Sequence, residues 1–119
     1  MIKIKRLQNV YFVSPRPAET ARFYENVLGL PRKFADGERW IQLSAGGSNV
    51  ALACAEEGVP DQAGAVPVFE VEEADDIHEC VTANGGRITG ERDMGTHGKV
   101  LTVQDPVGNT IQLICRIGG

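Results

Sequence analysis

The sequence predicts an α+β fold: two βαβββ repeats forming a curved mixed sheet around a cleft, with the helices on the outside. Three observations predict it. Residues 9–29 (NVYFVSPRPAETARFYENVLG) and 66–86 (VPVFEVEEADDIHECVTANGG) align at an offset of 57, which sets Phe12 on Phe69 and Gly29 on Gly86. Each segment leads to a related strand, GSNVALAC (47–54) and GNTIQLIC (108–115), at an offset of 61. In both halves the apolar pattern runs strand, helix, then three short strands.

The elements follow in order. Ile2 to Ser14 alternates loosely and is rich in Ile, Val, Tyr and Phe, as a strand should be. Pro15 and Pro17 stop it, and Pro17 suits the first turn of a helix, where its missing N–H costs nothing. From Ala18 to Leu28 the positions Ala21, Tyr24 and Leu28 share one helical face, flanked by Phe23 and Val27, and Gly29 caps it. Strands at Arg32–Phe34, Arg39–Ser44 and Asn49–Ala55 are separated by Ala35-Asp36-Gly37 and Ala45-Gly46-Gly47-Ser48. Pro67–Glu72 is again a strand. Ala74–Asn84 is a helix, with Asp75 and Asp76 at its positive end and Ile77, Cys80 and Val81 as its buried stripe. Strands near Arg87–Thr89, Val100–Gln104 and Asn109–Arg116 complete the second unit. Gly90–Lys99 reads as a long loop, and Asp105-Pro106-Val107-Gly108-Asn109 as a turn.

These boundaries give one domain over residues 1–119: a first repeat at 2–55, a linker at 56–65 and a second repeat at 66–116. The 119 residues suffice for a real core. A net charge of −4 and a lack of basic clusters beyond Lys3-Ile4-Lys5-Arg6 argue against nucleic acid as a partner. No apolar run is long enough to cross a membrane, and no apolar signal segment opens the chain, so the expected location is cytoplasmic. Cys54, Cys80 and Cys115 are odd in number and lack paired spacing, so they read as small buried apolar residues.

Alternation assigns the faces. Val50, Leu52 and Cys54, with Ile111, Leu113 and Cys115, pack under the helices, as do Val10, Phe12, Phe69 and Val71. The opposite face holds Asn9, Tyr11, Val13, Asn49, Ala51 and Ala53 in the first unit. In the second it holds Val66, Val68, Glu70, Thr110, Gln112 and Ile114. This makes a mostly apolar cleft with a few polar groups, the usual form of a small-molecule site.

Two stretches, Phe23-Tyr24-Glu25-Asn26-Val27-Leu28-Gly29-Leu30 and Asp105-Pro106-Val107-Gly108-Asn109-Thr110-Ile111-Gln112-Leu113, resemble those of the vicinal oxygen chelate superfamily. That group holds glyoxalase I, bleomycin-resistance proteins, fosfomycin-resistance enzymes and extradiol dioxygenases. The resemblance spans roughly residues 8–115. It implies a divalent metal held by a His before the first strand's Val, a His opening the second unit and a Glu in the last strand. Here those positions are Asn9, Val66 and Gln112, and the first-unit counterpart of Gln112 is Ala51. A Val has no donor atom and neutral amides are poor ligands for such an ion, so the expectation is no metal and no cofactor.

The expected function is therefore metal-independent binding of an amphipathic or aromatic small molecule, as the bleomycin-resistance branch implies. The expected ligand contacts are Asn9, Tyr11, Trp40, Gln42, Val66, Val68, Gln112 and Ile114. Trp40 has a second reading as ordinary core. The alternative is a lyase, isomerase or hydrolase that uses Glu70 and His97 as acid and base: Glu70 with its pKa raised in an apolar cleft, His97 on a loop that closes. His97 also reads as a solvated loop residue. A metal-dependent glyoxalase or dioxygenase is a third reading. The resemblance further implies a homodimer.

Overall fold

Each predicted repeat folds into its own four-stranded mixed sheet. The computed structural model describes residue 3 and residues 5–58, 65–72 and 75–115, with His97 by its backbone alone. The chain divides into two compact units, Met1–Asp61 and Gln62–Gly119.

The first unit runs β1 (Val10–Val13), α1 (Pro17–Leu28), β2 (Arg32–Asp36), β3 (Trp40–Ala45) and β4 (Ser48–Ala53), then a 3-10 turn at Ala55–Glu57. The second runs β5 (Val68–Val71), α2 (Ile77–Ala83), β6 (Arg87–Asp93), a 3-10 turn at Gly95–His97, β7 (Lys99–Gln104) and β8 (Thr110–Cys115). Sheet order is β1-β4-β3-β2 in one and β5-β8-β7-β6 in the other. In each, the first strand lies parallel to the last and the other pairs are antiparallel. The sequence repeat is therefore a repeat of register. Phe12 pairs with Leu52, and Phe69 with Leu113. Even the irregularities recur, between Arg32 and Phe34 in β2 and between Ile88 and Gly90 in β6.

The core of the first unit lies between α1 and the sheet. Ala21, Phe23 and Tyr24 meet Ile41, Leu43, Val50 and Leu52, all buried. Tyr24 stacks on Phe12 at 6.1 Å and takes the edge of Phe23 at 5.3 Å. Side chains of this size contribute about 1.5–3 kcal/mol each when fully buried. In the second unit Val81 of α2 is buried, as are Leu101, Val103, Ile111, Leu113 and Cys115 of the sheet.

The start of α1 is closed by hydrogen bonds the sequence did not announce. Arg16 donates its backbone N–H to Ser14 Oγ (2.9 Å), and Thr20 donates its hydroxyl to the Arg16 carbonyl (3.0 Å). Each hydroxyl has one proton. The 2.8 Å contact between Ser14 Oγ and Thr20 Oγ1 therefore has Ser14 as donor, and a closed ring results. Both residues are fully buried, where unpaired hydroxyls would be costly. At the other end Gly29 adopts φ 65°, the left-handed cap that glycine takes without strain.

Several expectations are corrected. Regular pairing in the first strand begins at Val10, so the described residues from 5 to 9 are not strand. The expected long loop at Gly90–Lys99 shrinks to 94–98, because β6 continues to Asp93 and β7 starts at Lys99. This stretch of β6 is polar and exposed, so no apolar period marks it. Helix α2 starts only at Ile77, and Asp75 and Asp76 lie in the turn before it. Its expected buried stripe is only partly so, since Ile77 and Cys80 are half-buried. Cys54, too, is half-buried, lying one residue past the end of β4. Of the expected linker, 59–64 lie outside the described residues.

Candidate functional site

In each unit one sheet face packs on a helix, and the other presents two cross-strand rows. In the first unit the upper row is Tyr11, Ala51, Gln42 and Phe34, taken from β1, β4, β3 and β2. The lower row is Val13, Ala53, Trp40 and Asp36. Residues opposite one another in a sheet share a face, so these side chains form one surface. Ala51 and Ala53 are wholly buried beneath larger neighbours, and they make the floor.

Aromatic side chains build the wall. The Tyr11 and Trp40 rings lie 5.1 Å apart and inclined at 49°. Phe34, 50% exposed, stands across the same row. The Tyr11 hydroxyl donates to the Glu57 carbonyl (3.1 Å), and the Trp40 indole N–H donates to Gln42 Oε1 (3.0 Å). Gln42 is only 4% exposed.

A charged cluster flanks this wall. Glu57 forms an ion pair with Arg39, and the hydrogen bond that the Arg39 guanidinium donates to that carboxylate holds it above its ordinary pKa. The Cys54 thiol, by hydrogen bonding, holds the Glu56 carboxyl below its ordinary value, helped by the residue's own N–H. Both groups are exposed, so water screens their effect on stability.

The second unit repeats the rows with different chemistry. Its upper row is Val68, Gln112, Thr102 and Gly90, and its lower row is Glu70, Ile114, Val100 and Arg92. Gln112 Nε2 donates to Thr102 Oγ1 (3.2 Å), so this amide is engaged within its own row. No aromatic ring occurs in either row. Val66 and Val68 are exposed, and so is Glu70.

Among the sequence-derived residues, Tyr11, Trp40 and Gln42 are brought together on one face of the first unit, and Val68, Gln112 and Ile114 on one face of the second. Asn9 sits half-buried just before β1, and Val66 just before β5. Glu70 is exposed at β5 rather than enclosed by apolar side chains. His97 ends the short 3-10 turn, and its side chain lies outside the described residues. Sequence reasoning missed Phe34, which alternation in β2 could have placed, and Glu57, whose backbone carbonyl carries no sequence signal.

Among the described residues no group of three His, Cys, Asp or Glu side chains could hold a metal ion. None of their helices is long and apolar enough to cross a membrane.

Comparison with known proteins gives the same architecture. The family model of the Glyoxalase/Bleomycin resistance protein/Dioxygenase superfamily matches residues 6–113. No curated protein matches the chain. Among solved structures, the chain is similar to a glyoxalase-related enzyme from Fulvimarina pelagi (TM-score 0.79, 17% identity, 95% of this chain and 89% of that one). It is similar to a fosfomycin resistance protein from Listeria monocytogenes solved with manganese(II) (TM-score 0.76, 16% identity, 94% and 90%). It also resembles a lactoylglutathione lyase from Agrobacterium tumefaciens (TM-score 0.69, 13% identity, 94% and 94%). At these identities the likeness is one of fold. With the family model covering most of its length, the chain belongs to the Glyoxalase/Bleomycin resistance protein/Dioxygenase superfamily.

Proposed function

We propose that this protein binds an amphipathic or aromatic small molecule without a metal ion. The observation that carries the reading is the Tyr11–Trp40 pair, 5.1 Å apart over Ala51 and Ala53, with Phe34 at the far end of Tyr11's row. Ala51 and Ala53 are small enough for the two rings to close over them, and rings offer large contact area at low entropic cost. Tyr11 is further held by its bond to Glu57, so less order need be imposed on binding.

The family's metal does not fit the residues present. Val66 and Ala51 carry no donor atom, and Asn9 and Gln112 offer neutral amides where metal-using members have imidazole and carboxylate. No step of this function runs through an ion.

Elemental analysis of purified protein tests the reading: it should find no stoichiometric transition metal, and about one ion per chain would overturn it. Glu70→Gln and His97→Ala should leave ligand affinity within a few-fold of the parent. A fall in turnover of ~100-fold or more for either variant would establish acid–base catalysis instead. The binding species in this reading is a homodimer, and sedimentation as a clean monomer at micromolar concentration would count against that part.

A further inference from the structure

Gln42 is the one buried amide on the first unit's open face, and its orientation is fixed by chemistry. An indole N–H can only donate, so the Gln42 atom 3.0 Å from Trp40 Nε1 must be the oxygen. The amide nitrogen is thereby turned away from the indole. Among the described residues it has no acceptor, and it is not one of the atoms shut off from water, although Gln42 as a whole is only 4% exposed. The second unit makes the contrast. There the row's amide, Gln112, donates to Thr102 and is satisfied within its own sheet.

From this we infer that Gln42 is a one-way donor subsite, which selects flat aromatic ligands carrying a hydrogen-bond acceptor such as a carbonyl oxygen. The inference rests on the binding role proposed above and names the ligand class for that same face. The other polar groups of the wall reinforce it. The Tyr11 hydroxyl proton is engaged by the Glu57 carbonyl, and the Trp40 N–H by Gln42 itself. Neither is available to a ligand acceptor, which leaves the Gln42 N–H groups. A ligand that offers an N–H at this point meets another donor and is rejected. A ligand with no polar atom there takes the donor out of water and leaves it unpaired, which costs affinity. The Tyr11 and Phe34 rings in the same row give the ligand its flat, apolar neighbours.

The experiment uses two probes of nearly equal shape, methyl naphthyl ketone and isopropenylnaphthalene, in which a carbonyl is replaced by an alkene. Trp40 is the only tryptophan, so its fluorescence reports binding at this face. The ketone should bind about tenfold or more tightly than the alkene. Gln42→Leu, which keeps the site apolar and filled, should erase that preference while both probes still bind. Trp40→Phe should also weaken the preference, because the freed amide can turn either end to the ligand; calorimetry reads this variant. Equal affinity of the parent for both probes, unchanged in Gln42→Leu, would overturn the donor subsite and leave the binding role standing. Binding of neither probe would overturn the binding role, and the subsite with it.

Discussion

The Tyr11 hydroxyl donates a 3.1 Å hydrogen bond to the backbone carbonyl of Glu57, a residue in the 3-10 turn that follows β4. One aromatic side chain thus joins the first strand of the unit to the segment that leaves its last strand. The Arg39–Glu57 ion pair holds the same turn from β3's side. Tyr11→Phe keeps the ring and removes the bond. We expect a loss of about 0.5–1 kcal/mol in urea unfolding, small because the bond is exposed, with faster amide exchange at Gly58. Unchanged exchange at Gly58 would mean that Tyr11 does not restrain the turn.

Gly58 itself lies against β1. A Cβ added there would stand 2.7 Å from Val13 Cγ2 and 3.3 Å from the Ala55 carbonyl. The backbone, at φ −80°, would accept alanine, so the obstacle is space alone. Valine is stiff at χ1 and cannot swing aside freely. Gly58→Ala should cost about 1–3 kcal/mol, and much of that should vanish in a Val13→Ala background. Additive losses in this double-mutant cycle would show that the two residues do not meet.

The two faces of each sheet should respond differently to truncation. Leu52 is fully buried under α1, and Leu52→Ala should cost about 2–5 kcal/mol in chemical denaturation. Val68 is 55% exposed on the open face of the second unit. Val68→Ala should change stability by about 0.5 kcal/mol or less. Similar losses at both positions would contradict the assignment of faces.

Glu56 gives a pH prediction. Its carboxyl is held below the ordinary value of 4.5, first by the Cys54 thiol. A folded pKa below the unfolded one contributes stability that is present above the unfolded value and lost as pH falls through the folded one. Cys54→Ala should therefore move the Glu56 titration midpoint upward, as read by carboxyl-carbon NMR. An unmoved midpoint would dissociate the two residues.

Much of the fold is legible in the sequence because it rests on period and punctuation. Phe12 with Leu52, and Phe69 with Leu113, recur at matching places, and the structure pairs them. Asp105 binds the N–H groups of Val107 and Asn109, as the turn sequence implies. The far end of the edge strand β6 is not legible, because it is polar and exposed and carries no apolar pattern. Half of the candidate site was legible through alternation, which put Tyr11 and Ala51 on one face. The rest depends on register between strands. That Gln42 falls beside Ala51 follows from pairing that no local pattern encodes, whereas its bond to Trp40, two residues back on the same strand, is one that alternation allows.

If the Tyr11–Trp40 face binds its ligand without a metal, added ions leave that binding unchanged. The most direct measurement is a titration of chelator-treated protein with methyl naphthyl ketone, followed by Trp40 fluorescence and repeated with added manganese(II), nickel(II) or zinc(II). The dissociation constant should be the same in every case, within about twofold, because an ion that does not touch the ligand has no coupling to it. Binding that appears only with one of these ions would contradict metal-free binding.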